Sequence, residues 1–311
     1  MMLFDNVALG LGLGYLADAI IGDPRKWHPV AGFGRLAAFV ERRVFKPTRM
    51  RGVLAELLLV GGATMLGWGL SRAGGAIGLV LVTAATWAVL GGCSLRMEAR
   101  AMATLLDAGD LPGARLRIRN LVGRDPANLD AQELARACIE SVAENGADAV
   151  VGPLFWGALL GLPGLFLYRA TNTLDAMFGH RTTRLLEFGW VAARFDDLLN
   201  WIPARLTVAI TALATGSRKG LLRVFTTVRR DAPAHPSPNA GPVEAAFAAA
   251  LDRQLGGRNV YAGELEERGL LGSGPPVQVT DIPNAVRLQR RIGVLALASA
   301  IALRLALSAV R

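Results

Sequence analysis

Five short clusters in this sequence set carboxylates, imidazoles and guanidinium groups at spacings that chemistry can use. The first is Gly22-Asp23-Pro24 followed by His28-Pro29-Val30. Prolines between and after Asp23 and His28 predict a stiff, extended loop that presents a carboxylate and an imidazole to one ligand. A helix-ending turn, with Asp23 capping and His28 solvated, fits as well. In the second cluster Glu140 and Glu144 stand four residues apart, hence on one helix face, with Asn145 beside them. Asp148 extends the stripe if the helix survives Gly146. Carboxylates in a row repel unless a cation sits among them, and hard oxygens at this spacing suit Mg²⁺. The plainer alternative is a solvated face with Arg136 paired to Glu140.

The third cluster runs from Tyr168 and Arg169 to Asn172 and Asp175, the last two being neighbours on a helix. The fourth is Arg194, Asp196 and Asp197, followed by Asn200 and Arg205. Arg169, Arg194 and Arg205 can each grip a phosphate in bidentate fashion, or they anchor short helices by pairing with aspartates. The fifth, His235-Pro236-Ser237-Pro238-Asn239 through Pro242, predicts a turn with exposed His, Ser and Asn side chains. A helix over 243–255 would follow, its first amides facing an anion. The Gly-rich run 256–263 lacks the Gly-Lys-Ser/Thr ending of a Walker A loop. No Rossmann fingerprint, nucleophile elbow or His-Glu-x-x-His helix is present either.

The elements that must position these clusters are membrane helices. The chain has 311 residues, 52% of them apolar and 19% charged, with mean hydropathy +0.36. Soluble domains carry about 25% charged residues. The expected fold is all-α and polytopic, with spans at about 4–22, 53–70, 74–93 and 292–310. Asp18 lies within the first, and Glu56 sits near the start of the second, at the interface. Two further apolar stretches, 149–168 and 198–215, are interrupted by Pro153, Gly161-Leu162-Pro163-Gly164 and Pro203. Each could span or re-enter; the re-entrant reading is preferred, because broken apolar backbone beside polar clusters marks a site. Helices are expected over 94–108 and 130–145, the latter capped by Asp130 with Glu133 as partner. Residues 256–285, rich in Gly and Pro, read as a long loop.

The formal charge of +9 has a location. Segments 23–52, 94–148 and 216–291 hold eight, seven and eleven of the 34 Lys and Arg residues, so all three are expected in the cytoplasm. That distribution makes nucleic acid an unneeded partner. Cys93 and Cys138 form no disulfide framework or metal set, and no signal peptide is expected.

The ordered set GDPRKWHPV, ESVAENGADAVVGPLF, YRATNTLDAMFGH, ARFDDLLNWIPARLT and SPNAGPVEAAFAAAL…LGGRNVYAG resembles the adenosylcobinamide-phosphate synthase family of cobalamin biosynthesis, the CobD/CbiB type. The resemblance runs from about Asp18 to Tyr261. It implies a multi-pass protein of the bacterial cytoplasmic membrane. It also implies ATP- and Mg²⁺-dependent amide formation between aminopropanol, or its phosphate, and the free propionate of adenosylcobyric acid. On that expectation Glu140, Glu144 and Asp148 hold Mg²⁺ with help from Asp196 or Asp197. Arg194 and Arg205 hold phosphates, and His28 or Asp175 accepts the proton of the attacking ammonium. Asp23, Asn145, Arg169, Asn172, His235, Ser237 and Asn239 complete the substrate set, with the site on the cytoplasmic side. Other corrinoid-pathway enzymes are candidate partners. The competing classes are a transporter, which broken helices would suit, and a non-catalytic membrane scaffold.

Overall fold

The computed structural model describes residues 5–23, 28–123, 125–180, 182–261 and 264–310. Pro24 of the first cluster, Arg181 and the Ala262-Gly263 tip of the Gly-rich run lie outside them. Among the described residues the chain is mostly helical and divides into two units. The first comprises Met1–Gly91, Asp148–Asn200 and Ala296–Arg311; the second comprises Gly92–Ala147 and Trp201–Leu295.

The first unit is built from α1 (Asn6–Ile21), α2 (Pro29–Val44), α3 (Arg49–Leu70), α4 (Gly75–Val89), α8 (Gly152–Leu160), α9 (Leu162–Phe178) and the start of α10 (Trp190–Ala214). Asp5 caps α1 by accepting from Val7 N at 2.8 Å, and Arg304 holds that carboxylate at 2.7 Å. Gly10 and Gly14 let α1 approach α4 closely: a Cβ on Gly14 would lie 2.4 Å from Thr86 Cβ. This is the small-residue packing that helices use in lipid, where apolar surface alone gives no drive to associate. Leu59, Val60, Leu174, Phe178 and Phe188 form the core between α3 and α9, with the two phenyl rings edge to face at 5.6 Å.

The second unit holds α5 (Gly92–Asp107), α6 (Leu111–Ile118), α7 (Ala131–Gly146), the end of α10, α11 (Arg218–Asp231), α12 (Ala240–Leu251) and the first half of α13 (Ile282–Ala309). Asp130 and Glu133 form the expected capping box at the start of α7. Val208, Ala212, Val224, Ala246 and Ala249 close a small core.

Among the described residues, three helical stretches are long and apolar enough to cross a membrane: Arg49–Leu70, Gly75–Asp107 and Val279–Ala309. The run expected to span at 4–22 is the 16-residue α1. At 1.5 Å per residue it reaches ~24 Å, short of a hydrocarbon core of about 30 Å. By this length criterion α1 is a shorter apolar helix and stands outside the three.

The two broken stretches resolve differently. In 149–168 the break is real: Gly161 takes φ +68 between α8 and α9, a conformation that disfavours any side chain. Residues after it do not stop at Tyr168 but continue as α9 to Phe178. The stretch 198–215, by contrast, is unbroken within α10 despite Pro203. A proline has no N–H for the carbonyl four residues back. Here that carbonyl, Leu199 O, accepts from the Trp156 indole at 3.1 Å instead. Nor is the chain purely helical. β1 (Leu255–Tyr261) pairs antiparallel with β2 (Glu264–Leu271), where a loop is expected from the sequence. A bulge between Gly256 and Gly257, both at positive φ, breaks the side-chain alternation that would have announced a strand.

Candidate functional site

The polar clusters of the first unit converge. Asn172, midway along α9, is the hub. Its amide nitrogen lies 3.5 Å from Asp148 Oδ2 and 3.4 Å from Asp196 Oδ1, and its carbonyl faces Arg169 at 3.5 Å. Asp148 is placed by a π-helical turn, Ala147–Val151, that follows α7. Such wide turns cluster at functional sites because they re-aim a side chain out of helical register. Asp196 is placed by α10, and Asn200 one turn later donates to its Oδ2 at 2.9 Å. The Tyr168 hydroxyl, fully buried, donates to Asn200 Oδ1 at 2.7 Å.

Charge in this cluster is crowded. Burial pushes the Asp175 carboxyl up to about 6, with the negative charge of Asp197 adding to the shift and His180 opposing it. Asp196 is pushed up to about 7 by burial and then by Asp175, against the stabilising amides of Asn200 and Asn172. Glu56 of α3 is 7% exposed, lies within electrostatic reach of both, and has one carboxylate oxygen buried without a hydrogen-bond partner. Sequence reading leaves Glu56 at the interface; the usable signal is an acidic residue inside an apolar span. Arg169 supplies positive charge within reach of Asp23 and Asp148, and its Nε–H is buried without a partner.

His28 caps α2: its Nδ1 accepts from Val30 N at 3.1 Å. Burial holds its imidazole below the ordinary 6.5, with Asp23 opposing and Arg169 adding to the shift. The neutral ring therefore carries its proton on Nε2, where it can donate but not accept. Arg194 lies at an exposed edge, 3.8 Å from Asp197.

The remaining sequence-derived candidates belong to the second unit. Glu140, 4% exposed, accepts from Gly256 N at 2.9 Å and pairs with Arg136 at 3.9 Å, bracing the bulge that opens β1. The Asn145 amide donates to Ser141 Oγ at 2.6 Å and, more weakly, to Leu121 O at 3.4 Å. Glu144 is partly buried on the same helix. The fifth cluster turns inward rather than outward. His235 and Asn239 are buried, against the expectation that they are exposed, because the prolines fold the turn onto α12. His235 accepts from Ser237 N at 3.1 Å and faces Glu244 at 3.7 Å, Ser237 Oγ accepts from Ala240 N at 3.1 Å, and Asn239 accepts from Arg205 at 2.8 Å. Helix α12 starts at Ala240 and ends at Leu251, earlier at both ends than the sequence suggests.

Among the described residues no three His, Cys, Asp or Glu side chains are gathered closely enough to cage a metal ion. Mg²⁺ does not require a cage: it keeps waters and takes one or two carboxylates plus substrate phosphates. Asp148 and Asp196, flanking one amide donor, fit that demand, and the orphaned Glu56 oxygen points to an unmet cation or proton. Repulsion among these carboxylates is relieved by any positive ligand.

Comparison with known proteins gives the cluster a context. Residues 11–289 match the family described as CobD/Cbib protein. The chain is similar to the cobalamin biosynthesis protein CobD of Mycobacterium tuberculosis, 48% identical over 288 residues that cover 91% of each chain. It is similar to proteins of the same name from Chromobacterium violaceum, 44% identical over 92% of this chain and 93% of the relative, and Rhodobacter capsulatus, 42% identical over 93% and 92%. No solved structure matches.

Proposed function

Because the chain belongs to the CobD/Cbib family of cobalamin biosynthesis, we propose that it is a ligase. It joins aminopropanol phosphate, or aminopropanol, to the free propionate of adenosylcobyric acid at the expense of ATP. The supporting observation is the Asn172 hub, which brings Asp148, Arg169 and Asp196 together in a largely enclosed setting.

A carboxylate does not react with an amine until its oxygen is made a leaving group. In this reading the propionate oxygen attacks the terminal phosphorus of ATP and ADP departs, leaving an acyl phosphate. The amine nitrogen then attacks the acyl carbon, the C–N bond forms and inorganic phosphate leaves with the oxygen. Phosphoryl transfer is mainly positioning and charge neutralisation. Mg²⁺, when bound, would supply that neutralisation between Asp148, Asp196 and the phosphate oxygens. Arg169, with a buried N–H free to donate, holds a phosphate oxygen by a charge-assisted bond. Arg194 at the exposed edge meets the second phosphorylated substrate.

The attacking amine must first lose a proton. Asp175 accepts it: a carboxyl raised to about 6 is a far better base near neutrality than an ordinary aspartate. His28, whose accepting nitrogen is engaged by Val30, caps α2 and donates through Nε2. Asn172, Asn200 and Tyr168 are positioning residues that fix the carboxylates. The three apolar helices support a membrane setting, and the Arg-rich segments support a bacterial cytoplasmic membrane with the site facing the cytoplasm. The test is reconstitution: purified protein in detergent with adenosylcobyric acid, aminopropanol phosphate, ATP and Mg²⁺ yields a mass corresponding to the amide, together with ADP. Folded protein that yields neither defeats the reading.

A further inference from the structure

A cavity in the second unit is lined by none of the residues of the Asn172 cluster. Its volume is about 470 Å³, and it opens among the start of α11, the end of α12 and α13. Lys219, Arg223, Arg287 and Arg291 line it together with Ser217 and Asn284. No aspartate or glutamate is among its lining residues. Four cations around one space repel, and the relief is partial: Arg223 Nη1 pairs with Asp252 at 2.8 Å. Its Nε–H is buried with no hydrogen-bond partner. An unmatched guanidinium N–H costs the fold its desolvation, so an acceptor is called for at that point.

The backbone adds to the same field. Ser217 caps α11, its Oγ accepting from Gly220 N at 3.0 Å, and Ser217, Lys219 and Gly220 all line the cavity. The positive end of a 14-residue helix therefore faces it. The Arg287 guanidinium is oriented by Asn284 Oδ1. The volume lies within the ~300–1,000 Å³ of ordinary ligand pockets, large enough for several linked phosphates.

We infer that this cavity binds the phosphate groups of an anionic ligand. Two sources share that chemistry. One is the polyphosphate of ATP, for which this sequence carries no Walker A loop. The other is the headgroup of an anionic phospholipid, since Arg287 and Arg291 lie where α13 turns apolar. The inference rests on the ligase reading only in naming ATP as one source.

The test is equilibrium dialysis of delipidated full-length protein in detergent against radiolabelled inorganic triphosphate. It needs no corrinoid and no turnover, so its failure and that of the ligase reading are separable. Saturable one-to-one binding is expected. Lys219→Gln and Arg287→Gln each weaken it about tenfold, the loss of one charge-assisted hydrogen bond, while Arg287→Lys weakens it less. Competition by ATP assigns the nucleotide, competition by phosphatidylglycerol assigns the headgroup, and either upholds the pocket. No saturable binding, or undiminished binding to a folded Lys219→Gln/Arg287→Gln double variant, overturns it. If that variant does not fold, triphosphate protection of Lys219 against acetylation in the parent reads the same contact: protection supports the pocket and its absence overturns it.

Discussion

Asn200 donates its amide to Asp196 at 2.9 Å while its carbonyl oxygen accepts from the Tyr168 hydroxyl at 2.7 Å. A fully buried tyrosine thus holds a carboxylate that, among the described residues, no charged partner neutralises directly. Tyr168→Phe leaves Asn200 Oδ1 without its donor and costs about 1–3 kcal/mol of stability. Gly152→Ala tests the same chain from behind, because a Cβ there would lie 2.2 Å from the Tyr168 ring. Overpacking of this kind costs about 1–3 kcal/mol and displaces the hydroxyl. Both variants should fold in detergent with lowered melting temperature and lowered kcat; unchanged kcat in both would remove Tyr168 from the site.

The raised carboxyl of Asp196 has a stability signature. Its pKa is higher in the fold, about 7, than in the unfolded chain, near 3.8. Between those values the native state holds a proton that the unfolded state has lost. Stability therefore falls as pH rises through this window, and the group contributes no penalty below it. Asp196→Asn removes the penalty. Its melting temperature should exceed the parent's at pH 8 and converge on it near pH 4, with activity lost. A melting temperature lower than the parent's at pH 8 would contradict the direction of the shift.

Mg²⁺ dependence separates the two sets of acidic residues. Asp148→Asn and Asp196→Asn should raise the Mg²⁺ needed for half-maximal activity at least about tenfold, or abolish activity, as loss of metal ligands or their close supports does. Glu140→Gln keeps an acceptor for Gly256 N and should leave that requirement unchanged. A large Mg²⁺ shift in Glu140→Gln would return the metal to α7.

His28 should behave as a cap. Asn accepts a helix N–H as well as His does, so His28→Asn should keep most activity, whereas His28→Ala should lose about 0.5–2 kcal/mol of stability. Loss of the acidic limb of the pH–rate profile in His28→Asn would make the imidazole the base instead.

These contrasts show what the residue pattern could and could not carry. Spacing along a helix found Asn172 with Asp175, because three- and four-residue neighbours share a face whatever surrounds them. It also produced the Glu140, Glu144 and Asp148 stripe, whose last member lies in a π-helical turn over Ala147–Val151 rather than in α7. Nothing in local sequence marks where a helix widens. The capping box at Asp130 and the break at Gly161 were legible for the opposite reason, being properties of the local backbone. Pro203 misleads because its effect depends on Trp156, 47 positions earlier (203 − 156). The hairpin was hidden by its own bulge, and the inward turn of His235 depends on α12 being there to receive it.

Sidedness is open to chemistry as well. Arg194 is 64% exposed. With Cys93 and Cys138 replaced, Arg194→Cys should resist impermeant thiol reagents in intact cells and react in inverted vesicles. Labelling from outside would place the site across the membrane from the cytoplasm.

The central claim is that the cluster around Asn172 performs the ligation, with Asp175 taking the proton of the amine. Asp175→Asn, assayed for both products in the reconstituted reaction, tests it most directly. The account predicts that amide formation falls by ~10²–10⁴-fold, the usual worth of a general base. Corrinoid-dependent release of ADP should continue, because activation of the carboxylate does not need that base. Amide formed at the parent's rate by Asp175→Asn would contradict it.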